Sequence, residues 1–84
     1  MGAEKILEQA RAGARNLRFA DLCRLAEALG FRLSRVRGSH HIYSHPSVPE
    51  LINLQSVNGK AKPYQVRQLL DLVKRYNLGL GSEP

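Results

Sequence analysis

The stretch that decides the fold is Arg35-Val36-Arg37-Gly38-Ser39-His40-His41-Ile42-Tyr43-Ser44-His45-Pro46, in which two runs of strand-like composition meet at Gly38-Ser39. A Gly-X pair between two such runs predicts a two-residue β-hairpin of type II′, because glycine supplies the positive φ that the first corner requires. All three histidines of the chain follow this turn, at positions 40, 41 and 45. The hairpin therefore places groups that titrate near neutral pH beside the fixed positive charge of arginines.

Alternation along the second strand assigns the histidines to two faces. His40 shares one face with Ile42, and His41 shares the other with Tyr43 and His45, because successive side chains of a strand point to opposite faces. The two neighbouring histidines therefore cannot serve one role by the same geometry, and the pattern leaves open which of them faces solvent. Tyr43 is able to stack on a base, although strand aromatics more often pack in the core.

Helices are predicted on the N-terminal side of the hairpin. Apolar residues recur at helical spacing from Ala3 to about Ala12, which indicates a short amphipathic helix. A second helix, with Asn16 as its N-cap, carries a broad apolar face over residues 19–29. Gly30 provides the left-handed stop that ends it.

After the hairpin, the prolines within residues 45–49 interrupt the strand pattern, and a third strand is predicted over residues 51–56. Asn58-Gly59 is a turn, and Pro63 fits the first position of a final helix that ends near Tyr76. This order, α-α-β-β-β-α, predicts an α+β fold in which a three-stranded antiparallel sheet packs against helices.

The segment from Gly38 to Pro46 resembles the G-S-H-H-x-aromatic-x-H-P signature of the HicA toxins. A second block, Asn58-Gly59-Lys60-Ala61-Lys62-Pro63, resembles the segment that opens the last helix of that family, and the resemblance covers roughly residues 19–78. It implies a double-stranded-RNA-binding-domain-like fold and the activity of an mRNA interferase. Such a protein is the toxin of a type II toxin–antitoxin pair, a ribosome-independent endoribonuclease that cleaves mRNA and inhibits translation and growth.

The resemblance also implies a partner and a catalytic residue. The partner is a HicB-type antitoxin protein that covers the active site. The family's catalytic histidine directly follows Gly-Ser, which is His40 in this chain. We expect one HicA-like domain over residues 1–84, with a core of about 17–78 and a flexible tail at 79–84. Residues 1–15 form a helix that the shortest HicA-type chains lack, and it either covers an edge of the core or contacts a partner.

A single histidine is sufficient for slow RNA cleavage, since general acid or base catalysis contributes about 10²–10⁴ in rate. We therefore expect His40 to remove the 2′-hydroxyl proton or to protonate the leaving 5′-oxygen. The alternative is a non-catalytic RNA-binding module of the same fold, in which the histidines are incidental. No metal site is expected, because the spacing of His41 and His45 converges in a helix and not in a strand, and no cofactor is expected either.

The candidate phosphate contacts flank the histidines in the sequence. A helix N-terminus with nearby lysines offers backbone donors and positive charge to one phosphate, while hairpin arginines can bind the next. The turn amides can also donate hydrogen bonds to phosphate, although it is equally consistent with the sequence that the turn only connects the two strands. The predicted RNA-binding residues are Arg35, Arg37, Gly38, Ser39, Lys60 and Lys62, with Arg32 a weaker candidate.

Composition agrees with an RNA partner without identifying one. The chain has 84 residues, a formal charge of +6 and a pI near 10.1, which favours a polyanionic partner. Its single cysteine, Cys23, excludes an internal disulfide and lies on an apolar helical stripe, so a structural thiol is expected. With no signal peptide and no long apolar run, a cytoplasmic protein without membrane contact is the expectation.

Overall fold

Three helices and a four-stranded antiparallel sheet make up the computed structural model, which describes residues 2–13 and 15–81. The sheet has the order β1-β2-β3-β4, so consecutive strands are neighbours throughout. The elements are α1 (Ala3–Arg11), α2 (Phe19–Ala28), β1 (Arg32–Arg37), β2 (His40–His45), β3 (Val48–Val57), β4 (Lys60–Ala61) and α3 (Pro63–Arg75).

The helices cover one face of the sheet and leave the other face open. Tyr43 of β2 and Leu54 of β3 are 1% exposed and point into the same core as the helical residues. The helix α1 belongs to this layer, because its Ile6 and Ala10 are buried where it packs against α2 and α3. The predicted α+β fold, with helices packed against an antiparallel sheet, is confirmed, and its layers match a double-stranded-RNA-binding-domain-like arrangement.

Turn chemistry sets the strand connections. Gly38 has a φ of +58°, whereas the φ of Ser39 is not positive, and a type II′ turn requires this combination. At the next hairpin, Asn58 and Gly59 both have positive φ, 53° and 78°, which is the type I′ pattern. Both predicted turns are therefore present, and the second one adds the two-residue strand β4, which the sequence pattern did not reveal.

Two predicted boundaries differ from the structure. β3 begins at Val48, and the break before it is only a turn at residues 46 and 47. Pro49 fits inside this strand because the pairing with β2 is irregular there, so its missing amide hydrogen removes no regular ladder bond. The assignment of Asn16 as an N-cap was wrong: the cap position of α2 is Arg18, and the Asn16 side chain instead accepts a hydrogen bond from Lys60 Nζ at 3.2 Å.

The chain after α3 turns back onto the end of α2. The Gly81 amide donates to the Ala28 carbonyl at 3.1 Å, and Leu80 packs half-buried against the core. The last three residues of the predicted tail, 82–84, lie outside the described residues. Within the described part of the chain, none of the helices has the length and apolarity needed to cross a membrane.

Candidate active site

His40 is the first residue of β2 and lies on the open face of the sheet. It pairs with Arg37 in β1 and with Gln55 in β3, so it is flanked by a cation on one side and an amide on the other. Its Nδ1 is 3.1 Å from Oδ1 of Asn53, and the ring is only partly buried. Because an amide oxygen only accepts hydrogen bonds, this contact places the proton of the neutral imidazole on Nδ1 and leaves the lone pair on Nε2.

A β-bulge brings all three β1 arginines to the face that carries His40. The register with β2 shifts between Leu33 and Arg35, so that Ser34 is the extra residue. Simple alternation would separate Arg32 from Arg35 and Arg37, whereas the observed partners are Ser44, Ile42 and His40, whose side chains share the open face. The bulge therefore explains why apolar and polar residues alternate imperfectly along β1 in the sequence.

The two predicted lysines lie farther from the histidine. Lys60 in β4 pairs with Val57, which places it on the open face, two strands away from β2. At about 4.8 Å per strand spacing, roughly 10 Å of sheet separates it from His40. Lys62 is at the N-cap position of α3, and with Lys60 and Arg15 it lines an open depression of about 470 Å³. The lysines therefore form a second cationic group beside the first.

The Gly38-Ser39 turn is attached to β3 and stands next to His40. The carbonyl of Ser39 accepts the Ser56 amide hydrogen at 3.2 Å, and its hydroxyl accepts from Gln55 Nε2 at 3.4 Å. These contacts fix the turn relative to the sheet.

His45 is occupied by structural contacts on the helix side of the sheet. Its Nε2 is 3.0 Å from the Leu29 carbonyl at the end of α2, and its Nδ1 accepts the Ser47 amide hydrogen at 3.0 Å. The ring also packs edge-on against Phe31, with centroids 4.9 Å apart. Both ring nitrogens are therefore committed within the fold.

His41 also faces the helices, where its ring packs edge-on against Phe19 at 4.9 Å. Its Nδ1 is buried, and no described residue forms a hydrogen bond with it. His40 and His41 thus point to opposite faces, as alternation predicted.

Two other reactive side chains are part of the core. Tyr43 is 1% exposed, so it packs and does not stack on a base. Burial is the main cause that raises its pKa, and the neighbouring Cys23 thiol contributes. Burial likewise raises the pKa of Cys23, which disfavours the thiolate that a nucleophile would need. Among the described residues, no group of three or more His, Cys, Asp or Glu side chains is placed to hold a metal ion.

Sequence reasoning missed Asn53 and Gln55, which are the β3 neighbours of His40. They were assigned to the third strand, but the pattern gave no register for that strand. The sequence carries no local signal for them, because the type I′ turn at Asn58-Gly59 fixes β3 against β4 but not against β2. The register with β2 depends on the packing of Ile52 and Leu54 in the core.

Comparison with known proteins identifies a family. The family model described as the HicA toxin of bacterial toxin–antitoxin systems matches residues 19–74. This range begins at α2 and ends within α3, so it includes the whole sheet and leaves α1 outside. Neither the curated proteins nor the solved structures contain a significant match to the chain.

Proposed function

Because the chain belongs to the HicA toxin family of bacterial toxin–antitoxin systems, we propose that it is a metal-independent endoribonuclease that cleaves mRNA with His40 as its catalytic base. A toxin of such a pair has an antitoxin partner, and we propose a HicB-type antitoxin that covers His40 and its cationic rim. Cleavage of messages in the cytoplasm would inhibit translation and growth, and binding of the antitoxin would relieve the inhibition.

The observation that carries this proposal is the contact between His40 and Asn53. Asn53 orients the ring and holds the proton on Nδ1, so that the basic nitrogen, Nε2, is free for a substrate on the open face. Arg37 lies directly opposite on β1 and supplies fixed positive charge. The site is open, which suits a long single-stranded substrate better than a small molecule.

The reaction follows from these groups. Nε2 of His40 takes the proton of a ribose 2′-hydroxyl, and the 2′-oxygen attacks the adjacent phosphorus. Arg37 stabilises the negative charge that accumulates on the phosphoryl oxygens. The bond to the 5′-oxygen breaks, and that oxygen takes a proton from water on the open face. The hydroxide so formed takes the proton from Nε2 of His40, which returns the ring to its neutral form. The products are a 2′,3′-cyclic phosphate and a 5′-hydroxyl, and no metal ion is needed.

The remaining cations of the open face would hold the flanking RNA. We propose that Arg35 binds a phosphate near the scissile one and that Lys60 and Lys62 bind a more distant phosphate, because β3 separates them from His40. The turn residues Gly38 and Ser39 lie next to His40 and would contribute amide donors. Each neutralised phosphate steepens the log–log salt dependence of binding by about 0.7 for a single strand.

The test compares two histidine variants on a defined RNA in the presence of EDTA. His40→Ala should bind RNA but not cleave it. His41→Phe keeps an aromatic ring against Phe19 and removes the imidazole nitrogens, so it should still cleave. Circular dichroism confirms folding, and the product ends should carry 2′,3′-cyclic phosphate.

The opposite result is cleavage by His40→Ala but not by His41→Phe. It would identify His41, on the helix side of the sheet, as the catalytic base and refute our assignment. Tight binding to duplex RNA without cleavage by the wild-type protein would support the non-catalytic RNA-binding module instead.

A further inference from the structure

The outer edge of β1 presents backbone and apolar groups that the proposed nuclease does not use, beside arginines that it does use. In the sheet, β1 pairs with β2 on one side, and no described residue pairs with its other side. All six residues of β1 are exposed. An edge strand presents unpaired backbone N–H and C=O groups, to which an extended segment of another chain can add as a further strand.

The two faces of β1 differ in chemistry. The bulge places arginines 32, 35 and 37 on the open face. On the helix side, Leu33 is 45% exposed and Val36 is 49% exposed, although they pair with Tyr43 and His41 at the rim of the core. A strand added at this edge would cover both apolar side chains.

We infer that the outer edge of β1 is a docking site for an extended segment of a partner protein in which acidic and apolar residues alternate. Cross-strand neighbours share a face, so the acidic side chains would lie beside the arginines and the apolar ones beside Leu33 and Val36. This inference goes beyond the proposed nuclease function, because it depends on the backbone and the apolar rim of β1 and shares only the arginines with the site around His40.

Charge decides between this occupant and a second copy of the chain. Pairing β1 with another β1 would place arginines across from arginines, and like charges across a strand pair destabilise it. The arginines and the bulge are also the devices by which edge strands avoid association with themselves. The bulge acts on any incoming strand, whereas the arginines do not oppose a strand of negative charge.

RNA is the other polyanion that this edge could attract, but it fits fewer of the features. Phosphates would contact the arginines of the open face. They would not pair with the strand backbone, and they would leave Leu33 and Val36 uncovered. The apolar half of the edge therefore favours a peptide.

The test uses ¹⁵N-labelled protein carrying His40→Ala, so that the result does not depend on cleavage. The probe is a short capped peptide of alternating Glu and Val. The matched control is the same peptide with Lys in place of Glu. The acidic peptide should shift the amide signals of residues 32–37 and slow their hydrogen exchange, whereas the basic peptide should do neither.

Matched variants locate the contact. Val36→Glu adds a negative charge to the apolar side of the edge and should weaken binding by about tenfold or more, since the charge would face apolar groups. Leu51→Glu makes the same change at an exposed position in β3, which is not adjacent to the edge, and should leave the affinity unchanged.

Equal binding of both peptides, absence of binding, or indifference to Val36→Glu would each overturn the inference. So would protection of the β1 amides by an RNA oligonucleotide and not by the acidic peptide, because the edge would then belong to the nucleic-acid surface. None of these outcomes bears on the nuclease proposal, because the experiment does not measure cleavage.

Discussion

Three histidines within six residues have three different environments. His40 has one nitrogen against an amide oxygen and the other without a hydrogen bond to any described residue. His41 has a buried nitrogen without a described partner, and His45 has both nitrogens engaged. A contact between a ring nitrogen and a carbonyl or amide group decides what that ring can do. The chemistry of this cluster therefore depends less on the histidines than on Asn53 and Leu29, which lie elsewhere in the chain.

His45 joins β2 to the end of α2, and its loss should destabilise the fold. His45→Ala removes the bonds to Leu29 and Ser47 and the contact with Phe31, so we expect a decrease of about 1–3 kcal/mol in the free energy of unfolding. Urea denaturation followed by circular dichroism measures it. His40→Ala is the matched control, because its hydrogen bond is exposed, and it should change stability by less than about 0.5 kcal/mol. Equal effects of the two variants would contradict the structural role of His45.

Asn53 should act as a positioning residue for His40. Asn53→Ala removes the acceptor that orients the ring, which we expect to lower kcat by about 5- to 30-fold, corresponding to about 1–2 kcal/mol. The KM for RNA should change little, because Asn53 carries no charge for phosphate. Gln55→Ala, two residues farther along the same face of β3, is the control and should retain more activity. A loss confined to KM would mean that Asn53 binds RNA instead.

At the scale of elements, α3 is fastened to β3 at both ends of the strand. Near the start of β3, Glu50 accepts hydrogen bonds from Tyr76 at 2.9 Å and from Arg75 at 3.1 Å. Near its end, the buried Gln65 side chain accepts the Gln55 amide hydrogen at 2.7 Å, just beyond the point where β4 stops pairing. These contacts hold the strand that carries Asn53 against the helical layer.

The Glu50 contact should make stability depend on pH. The Tyr76 hydroxyl, more than Arg75, lowers the pKa of Glu50 in the folded protein. A lowered pKa means that this stabilisation is present above the unfolded-state pKa and is lost as the pH falls through the folded-state pKa. Between pH 7 and pH 3 the wild type should therefore lose more stability than Glu50→Gln, as measured by urea midpoints. Glu8→Gln, at an exposed position in α1, should behave as the wild type does.

The sequence was sufficient for elements whose cause is local. Helical spacing gave α1, α2 and α3, and glycine at the corners gave both hairpin turns, because these depend on residues next to one another. The bulge at Ser34 and the β2–β3 register could not be predicted, since they depend on packing between distant residues. The strand β4 follows from the local turn, but its two residues are too few to show an alternating pattern. For that reason the sequence yielded His40 as a candidate but not its neighbour Asn53.

At the scale of the whole molecule, charge is divided between the two faces of the sheet. The strands contain four cations, Arg32, Arg35, Arg37 and Lys60, all on the open face. Their one acid, Glu50, is bound to α3 on the helix side. The net charge of +6 thus understates the positive potential of the open face.

Two double variants that change the net charge equally can distinguish an effect of the charge on the open face from an effect of the net charge. Arg35→Ala with Arg37→Ala removes two cations from the open face. Arg24→Ala with Arg67→Ala removes two from exposed positions in α2 and α3.

If RNA lies on the open face, the first pair should reduce the log–log salt slope of single-strand binding by about 1.4, or 0.7 for each phosphate contact, whereas the second should leave the slope nearly unchanged. Fluorescence anisotropy across a salt series measures both slopes, with His40→Ala as the background to prevent cleavage. Equal slopes for the two pairs would mean that RNA responds to total charge alone, and the arrangement of arginines around His40 would then have no part in holding the substrate.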